Sequence, residues 1–260
     1  MQRFVSDMKR YWRYTIYSAK SQLKTEVANS YLNWLWWVLE PLCFMFIYAL
    51  VFGYMLHRKM EYYNCYIFIG LAVWDFFRRC VKSSVRMVRR NKPIVSKVYL
   101  PKYMLIVSDM MVNGFKMVIC LGISFGMLLF YRVHIDWHFF LVVPVLAVTI
   151  VFTFGICTIL LHLGVFIEDM VNVVEILLKF IFYLTGIFYD IMKVLPAPYN
   201  GLLTHLNAIA FFCHSTRQCM LYHTSPGWHW LGAWALFSLI LAAYGVHNIY
   251  KNENTYVKVI

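Results

Sequence analysis

Charge is scarce in this sequence. Only 14% of its 260 residues are Asp, Glu, Lys or Arg, against about 25% in an ordinary soluble domain. Such a chain has too little polar surface to coat a water-soluble globule, and the expectation is an integral membrane protein. Acidic charge is the scarcer sign. Twelve Asp and Glu face 24 Lys and Arg, a formal net charge of +12, which reads first as topology and only second as a hint about partners. C-x-x-C pairs are missing among Cys43, Cys65, Cys80, Cys120, Cys157, Cys213 and Cys219, which argues against a zinc site or a disulfide framework. Cys213 and Cys219 read as two small buried thiols, the alternative being a pair. H-E-x-x-H, G-x-S-x-G and Gly-rich phosphate loops are also lacking. No catalytic residue, cofactor site or metal site is therefore assigned, and any ATP-driven work must use another chain. The first thirty residues hold six Lys or Arg and no continuous apolar core, so they do not read as a cleavable secretory signal.

What is abundant is long apolar runs. A helical crossing of a bilayer takes about 20 residues. Six segments meet or approach this length, at 31–55, 63–85, 103–131, 138–166, 171–189 and 228–250. The second is interrupted by Arg78, Arg79 and Lys82, which places its lower half at the headgroups or against protein. The segments between spans sort the cations. The side holding 1–30, the stretch from Arg78 to Lys102 and the C-terminal tail carries seventeen Lys or Arg. The other side holds Arg58, Lys59, Arg132, Lys193 and Arg217. Positive charge marks the cytoplasm, so both termini are expected there, in a multi-pass protein of a cell membrane. The basic stretch "RRNKPIVSKVYLPK" (89–102) becomes a cytoplasmic loop. No fold for reading nucleic acid surrounds it.

Residues 1–30 precede the first span and predict a helix. Val5, Met8, Trp12, Ile16, Ala19 and Leu23 fall in one arc, flanked by Lys9, Arg13, Lys20 and Lys24. That pattern fits a helix lying in the membrane interface, its lysines reaching the headgroups. The outer connection, 190–227, is not polar. "GLLTHLNAIAFF" (201–212) reads as an apolar helix of about three turns, too short to span. Short apolar helices there fit re-entrant elements, tolerated where buried in protein. His205, His214, His223 and His229 gather in this connection without metal-ligand spacing.

Ionisable residues inside spans are costly and usually face protein or water. Trp37, Glu40, Phe44 and Tyr48 share one face of the first span, and Glu40 precedes Pro41. Asp109, Asn113 and Lys116 share a face of the third. Two readings stand: a set of ion pairs and hydrogen bonds joining helices, or a polar, aromatic passage. In the second, Phe182 and Tyr183 of the fifth span form the facing wall in a dimer. Glu40 paired with Lys116 belongs to the first. Gly122 and Gly126 suggest close helix packing. The chain has 49 aromatic residues; interface belts and core packing absorb most of them, and a surplus beyond that would suit sugars, whose ring faces stack on aromatic side chains.

Three motifs then carry a resemblance. "YLNWLWWVLEPL" (31–42), "NKPIVSKVYLPK" (91–102) and "LTGIFYDIMKVLPAPY" (184–199) resemble the permease subunits of type-2 ABC exporters, in the branch that moves O-antigen, capsule polysaccharide or teichoic acid in bacteria. The resemblance covers essentially the whole chain and is weak for the substrate. It implies an all-α membrane protein of six transmembrane helices, in one permease domain over 1–260. It implies a homodimer bound to two copies of a separate ATP-binding subunit, which holds ATP and Mg. It also implies an interface helix matching 4–27 and a coupling helix matching 91–102, in which Pro93, Ile94, Val95, Lys97, Val98 and Tyr99 meet the ATPase. Outer gate helices match 195–222, with Pro196, Leu203, Asn207 and Phe211. In this chain Asn207-Ala208 stands where the family often has Asn-Pro, and "FIEDM" (166–170) is acidic where the family tends to place a basic residue.

The expected function is thus the channel-forming, non-enzymatic subunit of an exporter of a lipid-linked polysaccharide or teichoic-acid-like polymer. The expected partners are the ATP-binding subunit, a second copy of this chain, the glycan substrate and membrane lipids. Two alternatives stay open. One is a drug or lipid exporter of the same superfamily. The other is a membrane enzyme acting on lipid-linked sugars through Glu40, Asp75, Asp109 or Glu175, although no spacing brings two of these together on one helix.

Overall fold

A computed structural model of the chain describes residues 2–28, 33–55, 61–97, 99–253 and 255–256. Among them every regular element is a helix. α1 (Gln2–Ala28) leads through a short 3-10 turn into α2 (Trp36–Tyr48), which continues as a π-helical stretch, Ala49–Met55. α3 (Tyr63–Val85) follows, then two single turns, α4 (Met87–Arg90) and α5 (Lys92–Val95). α6 (Tyr103–Phe130), α7 (Val142–Phe166) and α8 (Met170–Leu184) come next. The short helices α9 (Ile191–Val194), α10 (Tyr199–Leu206) and α11 (Ala208–Met220) lead to α12 (Trp228–Lys251).

Four described stretches are long and apolar enough to cross a membrane: Trp36–Tyr54, Tyr103–Phe130, Trp137–Phe166 and Trp228–Lys251. They coincide with the first, third, fourth and sixth predicted spans. The other two predicted spans fall short for different reasons. α3 has the length, at 23 residues, but carries Asp75, Arg78, Arg79 and Lys82. α8 is apolar but has only 15 residues.

The most charged of these helices is also the central one. Sixteen residues of α3 are buried, Cys65 to Val85, against α6, α7, α8, α11 and α2. Its apolar residues fill the core while its charges collect near one end. The ends of α3, α7, α8 and α12 on that side, with α1 and the 89–102 stretch, form a basic face. Arg89 reaches Glu168 at 2.9 Å, and Arg3 reaches Glu253 at 3.3 Å.

α7 and α12 pack most extensively, and small residues permit it. A side chain at Gly155 would meet Cβ of Leu241 at 2.8 Å, and one at Gly245 would meet Thr158. Gly122 and Gly126, the expected close-packing pair, have open space where a Cβ would stand. The expectation of close packing there is corrected within this chain: small residues permit approach without causing it.

Candidate functional site: a charged and aromatic cleft

α2, α3 and α8 enclose an open cleft of about 290 Å³. It is lined by Glu40, Phe44 and Tyr48 from α2, by Leu71, Trp74, Asp75, Arg78 and Lys82 from α3, and by Glu175, Leu178, Lys179 and Phe182 from α8. The helical period places these residues at intervals of three or four, so each helix presents one edge. Near the basic face the lining is ionic. Farther along it is aromatic: Trp74 and Phe182 rings lie 5.2 Å apart, Tyr48 and Phe182 6.2 Å, and Phe44 stacks on Tyr48 at 6.0 Å. Phe188 closes this group, 4.4 Å from Tyr48 and 5.0 Å from Phe182.

Four of the six predicted passage residues therefore share the cleft: Glu40, Phe44, Tyr48 and Phe182. The facing wall is built within a single chain. The other two lie elsewhere. Trp37 turns to α6, edge-on to Phe115 at 6.2 Å and under the Lys116 ammonium at 5.4 Å. Tyr183 is 65% exposed on the outside of α8.

Ion pairs organise the polar end. Arg79 donates to Glu40 at 2.6 Å, Arg78 donates to Asp75 through Nη2 at 2.9 Å and Nε at 3.1 Å, and Arg78 lies 3.8 Å from Glu40. Lys82 meets Glu175 at 2.6 Å. Two expectations are corrected here. Glu40 pairs with Arg79, while Lys116 pairs with Glu26 of α1 at 2.6 Å. Glu40, Asp75 and Glu175 do converge, because spacing along one helix says nothing of contacts between helices. Each faces a cation, so none stands as a free acid or base. Asp109 lies apart, accepting from Ser83 at 2.6 Å and Asn113 at 3.1 Å, with Arg90 at 3.7 Å. The Asp109–Asn113–Lys116 face is thus a set of helix-joining contacts.

A larger apolar cleft of about 540 Å³ lies between α1, α3, α6 and α7, lined by residues such as Phe4, Met8, Met111 and Phe154. It offers a hydroxylated substrate no ionic partner.

On the basic face, 91–102 is not one helix. α5 ends at Val95, a turn follows, and Pro101 opens the approach to α6. Pro93 sits in the first turn of α5, where its missing N–H costs nothing. Ile94 and Tyr99 are half-exposed, Lys97 is exposed and Val95 is buried. Val98 lies outside the described residues. The Tyr99 hydroxyl accepts from Arg3 at 2.6 Å, and Lys102 lies 3.7 Å from Glu253. Burial pushes the Lys102 ammonium below its ordinary range, against the pull of Glu253. α1 itself packs on α6 along Phe4, Met8, Tyr11, Thr15 and Ala19, whereas Trp12 of the predicted arc is 45% exposed. Its Lys9, Arg13, Lys20 and Lys24 are exposed as expected.

At the opposite end, the predicted helix over 201–212 is two helices broken at Asn207. Its Oδ1 accepts from the N–H groups of Ile209 and Ala210 at 3.2 and 3.3 Å, with ψ 106°. An asparagine cap thus makes the break without proline. Phe211 is buried, Leu203 half-buried and Pro196 exposed. Cys213 and Cys219 are free and buried. Arg217, counted on the outer side in the charge distribution, is 2% exposed. It donates to carbonyls of Tyr66, Gly186 and Ile187 at 3.0, 3.0 and 3.2 Å and lies 3.7 Å from the Tyr66 ring. Gly70 supplied a signal for it, since a Cβ there would occupy the guanidinium's place.

No protein-family model matches the chain. It is 24% identical over 241 residues, 93% of both chains, to the O-antigen export system permease protein RfbA of Myxococcus xanthus. Two Klebsiella pneumoniae proteins of the same name are 24% and 25% identical over 76% and 78% of each chain. Along most of its length, this chain with its long apolar helices is thus similar to O-antigen export system permease proteins.

Proposed function

We propose that this chain is the membrane-spanning permease subunit of an ATP-driven exporter, which carries a lipid-linked polysaccharide from the cytoplasm across the cell membrane. The observation that carries the reading is the similarity over 93% of both chains to an O-antigen export permease. In this reading α3 and α8 complete a set of six spans. The charges of α3 are tolerable at membrane depth because they are paired and face a cleft. Both termini and the basic face lie in the cytoplasm, as the distribution of Lys and Arg supports. A second copy of the chain completes the path, and a separate ATP-binding subunit binds ATP and Mg. Ile94 and Tyr99, exposed beside α5, meet that subunit; Val95, being buried, braces the turn. α10 and α11 form the outer lid.

The cleft suits the cargo. A hydroxylated polymer slides over several weak stacking contacts, each worth about 1 kcal/mol, where one tight pocket would trap it. Phe44, Tyr48 and Phe182 supply those contacts beside an ionic mouth. In a strain lacking its own permease, this chain with its ATP-binding subunit restores surface polysaccharide. The triple Phe44→Ala, Tyr48→Ala, Phe182→Ala variant loses most of that export while still co-purifying with the ATP-binding subunit. Normal export by the triple variant refutes the path. No restoration by the wild-type pair refutes the function.

A further inference from the structure

The mouth of the cleft has more cation than its carboxylates neutralise. Glu40 and Asp75 are engaged by Arg79 and Arg78 at 2.6 and 2.9 Å. Glu175 is then the one carboxylate left for two lysines. Lys82 holds it at 2.6 Å, and Lys179, one turn farther along α8, has no ion-pair partner among the described residues. The Lys82–Glu175 pair is open to water, its side chains 55% and 39% exposed. Pairs this exposed contribute little stability and exchange readily. Lysines act as point charges toward phosphate. A diphosphate, even when esterified at both ends, carries more charge and more free acceptor oxygens than a carboxylate, so it can hold both ammonium groups at once.

What lies next to the lysines defines the rest of the ligand. Trp74 and Phe182 line the same cleft farther from the basic face, and the cleft is open. The site therefore matches a molecule with a diphosphate at one depth, a stackable portion above it and an apolar tail that leaves through the opening. We propose that Lys82 and Lys179 bind the diphosphate that joins a lipid carrier to its glycan, and that Glu175 is the resident anion this diphosphate displaces. This deepens the export reading and rests on it for the glycan. The phosphate site itself is tested without transport.

Three probes separate the possible sources of phosphate. Farnesyl pyrophosphate has phosphate and an apolar tail, farnesol has the tail alone, and inorganic pyrophosphate has the phosphate alone. Binding to the purified full chain in detergent is followed by calorimetry. Farnesyl pyrophosphate binds saturably, and far more tightly than either of the others. The Lys82→Gln, Lys179→Gln pair of changes weakens it by roughly tenfold or more. Glu175→Gln tightens it, because the competing anion is gone; loss of a merely structural ion pair would not do so. Lys179 is exposed, so Lys179→Gln alone, with a wild-type melting temperature, serves if the double variant does not fold. Unchanged affinity in the lysine variants overturns the site, as does farnesol binding as tightly as farnesyl pyrophosphate. Inorganic pyrophosphate binding equally well overturns the lipid assignment. A chain that binds farnesyl pyrophosphate but restores no polysaccharide removes only the export reading. One that restores polysaccharide with phosphate binding insensitive to the lysines removes only this site.

Discussion

Arg217 and Lys82 are both cations on largely apolar helices, and both are satisfied by oxygen, yet their surroundings differ in every other respect. Arg217 is 2% exposed and held by three main-chain carbonyls. Those carbonyls belong to α3 and to the turn after α8, so one side chain of α11 ties three segments. Carbonyls cannot move away without unwinding the chain. Lys82 faces a single carboxylate on a flexible side chain, and both partners touch solvent. A cation fixed by backbone holds a structure in place. A cation paired with an exposed side chain can trade its partner for a ligand.

The largest expected effect tests the fixed half of that comparison. Arg217→Met removes three charge-assisted hydrogen bonds and leaves buried carbonyls short of donors. Such bonds are worth about 1.5–3 kcal/mol each, and stranding their partners adds to the loss. The variant loses about 4 kcal/mol or more, read as a large fall in melting temperature of the purified protein. Gly70→Ala acts on the same point from the other side, since its Cβ meets the guanidinium, and it shows a comparable fall. Lys82→Met leaves the melting temperature nearly unchanged. If Arg217→Met melts like Lys82→Met, burial does not distinguish the two sites.

Sequence patterns reached one side of this contrast more easily than the other. Four of the six expected spans reappear as long apolar helices, because continuous apolarity is a local property that no partner is needed to reveal. The aromatic edge of α2 was legible for the same reason: Glu40, Phe44 and Tyr48 repeat at four-residue intervals. Ion-pair partners were not legible. Glu40 meets Arg79 across 39 positions of sequence, and helical spacing alone favoured no partner. The burial of Arg217 was not legible, because charge counting assigns a cation to a side of the membrane and says nothing of its exposure. Its neighbours Ile209, Phe212, Cys213, Thr216 and Met220, all buried on α11, mark the helix as core, and an arginine among them had to find acceptors. The tie between Arg3, Tyr99 and Glu253 joins chain positions that no local motif relates.

A middle-sized effect comes from a pair intermediate between the two. Lys116 of α6 is 9% exposed and its partner Glu26 on α1 is about half-exposed, at 2.6 Å. Removing one partner of such a pair is not symmetric. Without Lys116, Glu26 turns to water at little cost. Without Glu26, the ammonium keeps the Trp37 ring at 5.4 Å and the more distant Asp109 carboxylate but no ion pair among the described residues, and a buried charge so weakly compensated is expensive. Glu26→Ala is therefore expected to lose about 2 kcal/mol and Lys116→Met less than half of that. Thermal melting ranks the two. Hydrogen exchange shows whether the loss frees the C-terminal half of α1 from α6. The reverse ranking would mean that Lys116 is not effectively buried.

The smallest effect concerns a neutral polar group at the end where Arg217 sits. Asn207 separates α10, whose Leu202 and Leu206 are 58% and 61% exposed, from α11, which buries eleven of its thirteen residues. Its side chain serves the first free N–H groups of α11, and its extended backbone turns the chain between the helices. An asparagine cap replaced by alanine costs about 1 kcal/mol. Aspartate offers the same acceptor, while glycine keeps the backbone freedom without it. Asn207→Asp should therefore melt like the wild type, Asn207→Gly slightly lower, and Asn207→Ala lowest. The loss should be local: amides of Ile209 and Ala210 exchange faster, while those deeper in α11, beside Arg217, keep their wild-type rates. Should the amides around Arg217 speed up equally, α10 and α11 melt together, and Asn207 is not a boundary between a loose helix and a fixed one.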